Sequence, residues 1–136
     1  MIKLGALGDF VYAIGPMQAI KKHHKTAKIT LLTRLSFADL GYKTKIFDDI
    51  LIDPEPNFWK LKSLYDFRKK INAFQFDRIY DLQTSDRTGF YYKLIGPFKR
   101  PEWSGIAPGC SHYHHYKRPT LKHTLDRHRE QLALAG

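Results

Sequence analysis

The sequence predicts an α/β domain built on a doubly wound, mostly parallel sheet of Rossmann type. Three observations predict it. Short apolar, β-branched segments alternate with helical ones in the order β-α-β-α-β-α-β-α-β-loop-α. Helix-length stretches separate consecutive strands, and parallel strands need such crossovers. Gly5-Ala6-Leu7-Gly8 then falls between the first strand and the first helix, at the carboxyl edge where such sheets place ligands. Residues 1–136 read as one domain, without an internal repeat or a low-complexity tract.

Ile2-Lys3-Leu4 is the tail of a strand, shorter than the usual ~5–6 residues. Phe10, Ala13, Ile14, Met17 and Ile20 recur at helical spacing, and Pro16 is expected to kink that helix or confine its regular part. The helix ends in Lys21, Lys22, His23, His24 and Lys25, cations that suit the negative end of its dipole. Ala27 to Thr33 is a buried strand. Ser36 is the expected N-cap of a short helix through Leu40 that Gly41 closes. Ile46 to Asp53 makes a third strand, stopped by Pro54 and Pro56.

From Phe58, the residues Leu61, Leu64, Phe67, Ile71 and Phe74 form one apolar helical stripe. Arg78 to Leu82 is a fourth strand, and Ser85-Asp86 opens a helix that runs through Ile95 to Gly96-Pro97. Lys99 to Ile106 supplies a fifth strand, which Pro101 places at an edge or makes irregular. Pro108 to Lys122 reads as a loop. His123 to Gly136 is a last helix carrying Leu125, Leu132 and Leu134.

The formal charge is +10, from 23 Lys+Arg against 13 Asp+Glu. Residues 1–56 carry 8 basic and 6 acidic side chains, whereas residues 57–136 carry 15 and 7. An anionic partner is therefore expected, mainly on the second half. A hydrophobic fraction of 43% and 14% aromatics argue against disorder. Cys110 is the sole cysteine, which excludes a disulfide framework and a multi-cysteine metal site. No apolar run reaches the ~18–20 residues of a membrane span, and no signal peptide is visible.

Gly5 and Gly8 let the backbone turn tightly and let a ligand approach closely. The third glycine of a dinucleotide fingerprint and the lysine-serine pair of a phosphate loop are missing. What stands out is Asp9, a carboxylate at a helix N-terminus whose dipole favours the ionised form that a base requires. It reads also as a helix cap, a far commoner role for an aspartate in that place. Arg87 suits bidentate binding of phosphate or carboxylate, or a surface pair with Asp86. Gln83, Thr84 and Ser85 could bond a sugar or cap the helix. Lys60 and Lys62 lie on a solvated helix face or meet an anion in the same cleft. Cys110, His112, His114 and His115 match no closed zinc spacing, and no metal is assigned to them.

Ile2-Lys3-Leu4-Gly5-Ala6-Leu7-Gly8-Asp9-Phe10-Val11, followed by Pro16 and Ile20, resembles the N-terminus of glycosyltransferase family 9, the ADP-heptose:lipopolysaccharide heptosyltransferases. Tyr80-Asp81-Leu82-Gln83 with Arg87 and Gly89 is similar to the family's strand-end motif. Arg100 to Gly105 resembles the stretch before its acceptor-side loop. His123-Thr124-Leu125-Asp126-Arg127 with Gln131, Leu132 and Gly136 resembles the helix that closes its first domain.

The resemblance implies a GT-B architecture, of which this chain is the N-terminal, acceptor-binding half; the donor-binding half lies outside it. It implies inverting transfer of a sugar from ADP-heptose or a related nucleotide sugar to an anionic glycolipid, the lipopolysaccharide inner core. Asp9 matches the family's proposed general base. Gly8, Gln83, Arg87, Lys60 and Lys62 are the candidate acceptor contacts, with no cofactor bound by this domain. A cytoplasmic place follows, with peripheral contact at the inner face of the bacterial cytoplasmic membrane. The competing expectation is a free-standing basic module for nucleic acid or anionic membrane, although no nucleic-acid motif is present.

Overall fold

Parallel strands bury both faces, so their side chains feed two cores alternately. A computed structural model describes residues 1–55, 59–98, 100–115 and 124–136 and shows this alternation directly. The described elements are α1 (Leu7–His23), β1 (Thr30–Thr33), α2 (Leu35–Lys43), β2 (Asp49–Ile52), α3 (Leu61–Ala73), β3 (Arg78–Tyr80), α4 (Asp86–Leu94), β4 (Glu102–Gly105), β5 (His112–Tyr113) and α5 (Thr124–Ala135). The domain is thus mixed α/β, with five described helices and short parallel strands, compatible with the Rossmann-like class.

β1 pairs with β2, and β3-β4-β5 form a second ribbon. Ile2 joins the two, bridging Leu32 on one side and Asp81 on the other, both in parallel. Leu32 and Ile79 face a cluster with Phe67 and Ile71 of α3 and with Tyr91, Tyr92 and Ile95 of the α4 region. Their neighbours Leu31 and Tyr80 face a second cluster with Phe10, Ala13, Met17 and Ile20 of α1 and Ala135 of α5. Each of the larger aliphatic and phenylalanine side chains contributes about 1.5–3 kcal/mol on full burial. Trp103 of β4 is wholly buried in the first cluster.

Several elements differ from expectation for identifiable reasons. α1 runs unbroken through Pro16, because Phe10 and Ala13 before it and Met17 and Ile20 after it are buried in one cluster. Gly41 lies inside α2 rather than closing it, and the N-cap is Arg34, not Ser36. A Cβ on Gly41 would stand 2.8 Å from Ile50 Cδ1, so this glycine lets α2 approach the sheet. β4 lies between β3 and β5; Pro101 precedes it and removes no ladder donor, so the expected edge position is not observed. β5 falls inside the stretch expected to be a loop. The α3 stripe is buried at Phe67 and Ile71, while Leu61 and Phe74 at its ends are exposed. Phe58, Lys99 and His123, and the rest of residues 116–123, lie outside the described residues.

α5 presents polar side chains inward. Its buried residues are His128, Gln131 and Ala135, while Leu134 is exposed. The Gln131 amide donates to the carbonyls of Asp81 and Ser104, each at 3.0 Å, fastening α5 to β3 and β4. Replacing Gln131 by Leu leaves both buried carbonyls without that donor. Urea denaturation of Gln131→Leu is expected to show a loss of about 1–3 kcal/mol; unchanged stability would refute this role.

Candidate functional site

Because the strands are parallel, their carboxyl ends share one edge, and the loops leaving that edge carry the candidate residues. Asp81, directly after β3, is fully buried. Its carboxylate accepts from the backbone of Gln83 at 3.1 Å and Thr84 at 2.9 Å, and from the Thr88 hydroxyl at 2.7 Å. Ser85 caps α4 in a reciprocal box with Thr88, so this loop and helix start are fixed from two directions. Gln83 Oε1 then accepts from the Leu4 N–H at 3.0 Å, which ties the β3 loop to the glycine loop.

Gly5 has φ +143, and a Cβ there would lie 2.9 Å from the Phe37 ring, so this position requires glycine. Gly8 has nothing within 4 Å of where its Cβ would be. The fold therefore does not demand Gly8, and the space over the first turn of α1 is open. Asp9 lies in that turn, exposed. It is not the cap: the N-cap position is held by Ala6, which makes no side-chain cap bond.

Beneath this turn sits Lys3, buried, its ammonium donating to the Leu82 carbonyl at 3.1 Å. Burial lowers the Lys3 pKa, while the charges of Asp9 and Asp81 oppose the shift. Arg127 of α5 donates to the Thr84 hydroxyl at 2.9 Å. His128 beside it is buried and held near a pKa of about 4, first by desolvation and then by the charges of Lys3 and Arg127. Gln131 and Asp9 act in the opposite direction on it. Among the described residues, the His128 Nε2 has no hydrogen-bond partner. Lys3, Arg127 and His128 were not identified as site residues from sequence. For His128, the available signal is its spacing of three from Gln131 on a helix whose Leu125 and Leu134 are exposed.

Arg87 does not pair with Asp86. Its guanidinium lies 3.1 Å from the wholly buried Asp53 carboxylate after β2, and its Nε donates to the Tyr91 hydroxyl at 2.7 Å. Tyr91 in turn donates to Asp53 at 2.9 Å. About a quarter of the Arg87 side chain stays accessible. Lys60 and Lys62 are exposed at the start of α3, lining a shallow cavity of about 390 Å³ with Pro54, Asp66 and Lys70. Pro54 follows Asp53, so these lysines stand on the Arg87 side of the edge, whereas Asp9, Lys3 and His128 form the other.

The histidine loop is occupied with protein partners. His114, buried, meets Glu130 at 3.3 Å, and His112 lies 3.7 Å from Glu102. The Cys110 thiol is buried against the Gly105 carbonyl, and burial raises its pKa. Among the described residues, no three His, Cys, Asp or Glu side chains are grouped to hold a metal. None of the described helices is long and apolar enough to cross a membrane.

A larger cavity, about 830 Å³, opens at the opposite, amino-terminal ends of the strands. Size alone would favour it as the site, but the exposed carboxylate, the open helix N-terminus and the buried Lys3 all lie at the carboxyl edge. No known family model matches the chain, and no curated protein or solved structure matches it.

Asp81 and His128, both buried at this edge, pull stability in opposite directions with pH. Asp81, raised from 3.8 to about 6 chiefly by burial, contributes stability that is present below about pH 4 and lost as pH rises through 6. His128, lowered from 6.5 to about 4, contributes stability present above pH 6.5 and lost as pH falls through 4. In His128→Asn the second contribution is gone, so stability should fall less between pH 6.5 and pH 4 than in the parent. Urea unfolding at both pH values checks this, and an undiminished fall would contradict it.

Proposed function

We propose that this chain is the acceptor-binding half of an inverting glycosyltransferase related to the family 9 heptosyltransferases, with Asp9 as general base. One observation carries the reading: Asp9 stands exposed in the first turn of α1, beside the bare Gly8, just after a loop that Gln83 holds at Leu4. A base must be reachable by an acceptor hydroxyl, and Asp9 is. The strand order also favours a doubly wound, Rossmann-like half of a GT-B enzyme, with Ile2 between β1 and β3.

In the proposed reaction the acceptor oxygen attacks the anomeric carbon of the nucleotide sugar while Asp9 takes its proton. The bond from that carbon to the diphosphate oxygen breaks and ADP leaves with the bond's electrons. One displacement inverts the configuration and uses one base, so no paired carboxylate of the glycosidase kind is required. Gln83 and the accessible part of Arg87 face an acceptor bearing hydroxyls and phosphate or carboxylate. No residue of this chain is assigned to the donor. With the donor-binding half present, Asp9→Asn is expected to lower kcat by about 100-fold or more with stability unchanged, since Asp9 is exposed. Transfer at the parental rate would remove Asp9 from the mechanism.

A second reading, peripheral contact with an anionic membrane, is favoured by the start of α3. Trp59 and Leu61 are 94% and 81% exposed beside Lys60 and Lys62, an apolar and cationic combination that suits a lipid interface. Co-sedimentation with vesicles containing phosphatidylglycerol is expected to weaken about tenfold or more in Lys60→Glu/Lys62→Glu. Equal binding to neutral vesicles would contradict it.

A further inference from the structure

α3 and α4 cover one face of the sheet and turn their apolar sides to it: Phe67 and Ile71 of α3 and Tyr91 and Tyr92 of α4 are buried in one cluster. The side left to solvent is cationic. Lys62, Tyr65 and Lys69 recur at helical spacing opposite Phe67 and Ile71, and all are exposed. Lys93 is exposed in the last turn of α4. Arg68 and Arg100 both flank Gly96, just past that helix. A Cβ on Gly96 would stand 2.9 Å from Arg68 Nη2, and Arg100 donates to the Gly96 carbonyl while its guanidinium lies 4.4 Å over the Tyr92 ring. These contacts join the cations of the two helices into one surface.

Among the described residues, none of Lys60, Lys62, Arg68, Lys69, Lys93 and Arg100 stands within ion-pair distance of a carboxylate. Asp66 and Asp86, the exposed acids of the two helices, reach none of them. Elsewhere Lys21, Lys28, Arg34, Arg78 and Arg87 are each paired. Exposed rings stand at both ends of the surface, Trp59 before α3 at the carboxyl edge and Phe98 after α4 at the amino-terminal edge.

We propose that the whole outer face of α3 and α4 lies flat on an anionic lipid surface. Trp59, Leu61 and Phe98 enter the headgroup layer at its two ends, and the cations between them meet the lipid phosphates. The proposal rests on the membrane reading above and extends it from the first turn of α3 to both helices. Cations without partners in the protein favour such a surface, each contributing about 1 kcal/mol beside it. The exposed tryptophan, leucine and phenylalanine favour lipid over a dissolved polyanion, because their apolar surface is buried at the headgroup boundary. In this orientation one helix layer, about 10–12 Å thick, separates the sheet from the headgroups. The carboxyl edge then stands upright on the membrane with Lys60 and Lys62 nearest the lipid, so a glycolipid acceptor meets that edge through its sugar rather than its lipid.

The test is co-sedimentation with vesicles of phosphatidylglycerol and phosphatidylcholine in equal parts, read together with tryptophan emission. Trp103 is wholly buried, so a shift on adding vesicles reports Trp59. The parent chain is expected to partition with a blue shift of that emission. Lys69→Glu/Lys93→Glu, toward the amino-terminal edge and away from Trp59, is expected to weaken partitioning about tenfold or more. Lys22→Glu/Lys43→Glu reverses the same charge on the opposite helix layer, more than a Debye length of about 10 Å from the lipid, and is expected to change it by less than about twofold. These lysines are all exposed, so neither pair disturbs the fold. Equal losses for the two pairs would show net charge alone at work and overturn the assignment of the face. Loss in Lys60→Glu/Lys62→Glu with none in Lys69→Glu/Lys93→Glu would confine the contact to the start of α3, leaving the membrane reading standing and this proposal refuted. Absence of partitioning by the parent would remove both. Equally tight binding of single-stranded DNA with the same tryptophan shift would assign the face to nucleic acid instead.

Discussion

The buried carboxylate of Asp81 organises the edge that carries the candidate residues. A buried carboxylate without partners costs several kcal/mol, so the residues around it are constrained to answer it. Two backbone N–H groups and the Thr88 hydroxyl do so, and the charge of Lys3 adds to them. Those partners shape the loop after β3 and set the first turn of α4. The same residue's carbonyl holds Gln131, and through it α5. Gln83, placed by this loop, then fixes the glycine loop that carries Asp9. One desolvated charge thus couples two loops and two helices.

Much of the α/β pattern was legible because it rests on local apolar periodicity. The helix opened by Ser85, the strand at Thr30–Thr33 and the stripe of Phe67 and Ile71 are readable from residue spacing. Features set by tertiary contact were not. Pro16 is tolerated because packing on both sides outweighs its local preference. Gly41 looks like a helix stop in sequence, but serves close packing against Ile50. α5 inverts the usual rule: Gln131 and His128 are buried because the sheet edge offers carbonyls and cations to meet them, while Leu134 is left outside. No hydrophobic pattern announces a polar interior face.

The candidate site divides in the same way. Asp9, Gly8 and Gln83 could be found from their place after a strand, and the structure groups them around one loop. Arg87 was visible as a cation, but its partner Asp53 is distant in sequence and was not. That pairing matters for the charge of the domain, since Arg87 is largely neutralised internally and exposed lysines such as Lys60 and Lys62 carry more of the free positive field. Lys3 reads as an ordinary strand residue until the fold places its ammonium under Asp9 and beside Asp81.

The proposed acceptor site, for an anionic sugar, lies across the loop between Asp9 and Gln83. Backbone amide chemical shifts recorded while the chain is titrated with a phosphorylated, carboxylated core oligosaccharide test it most directly. Saturable shifts are expected at Gly8, Asp9, Gln83 and Arg87, with residues at the amino-terminal ends of the strands unmoved. Shifts confined to the α3 lysines or to the opposite edge, or none at millimolar ligand, would contradict it.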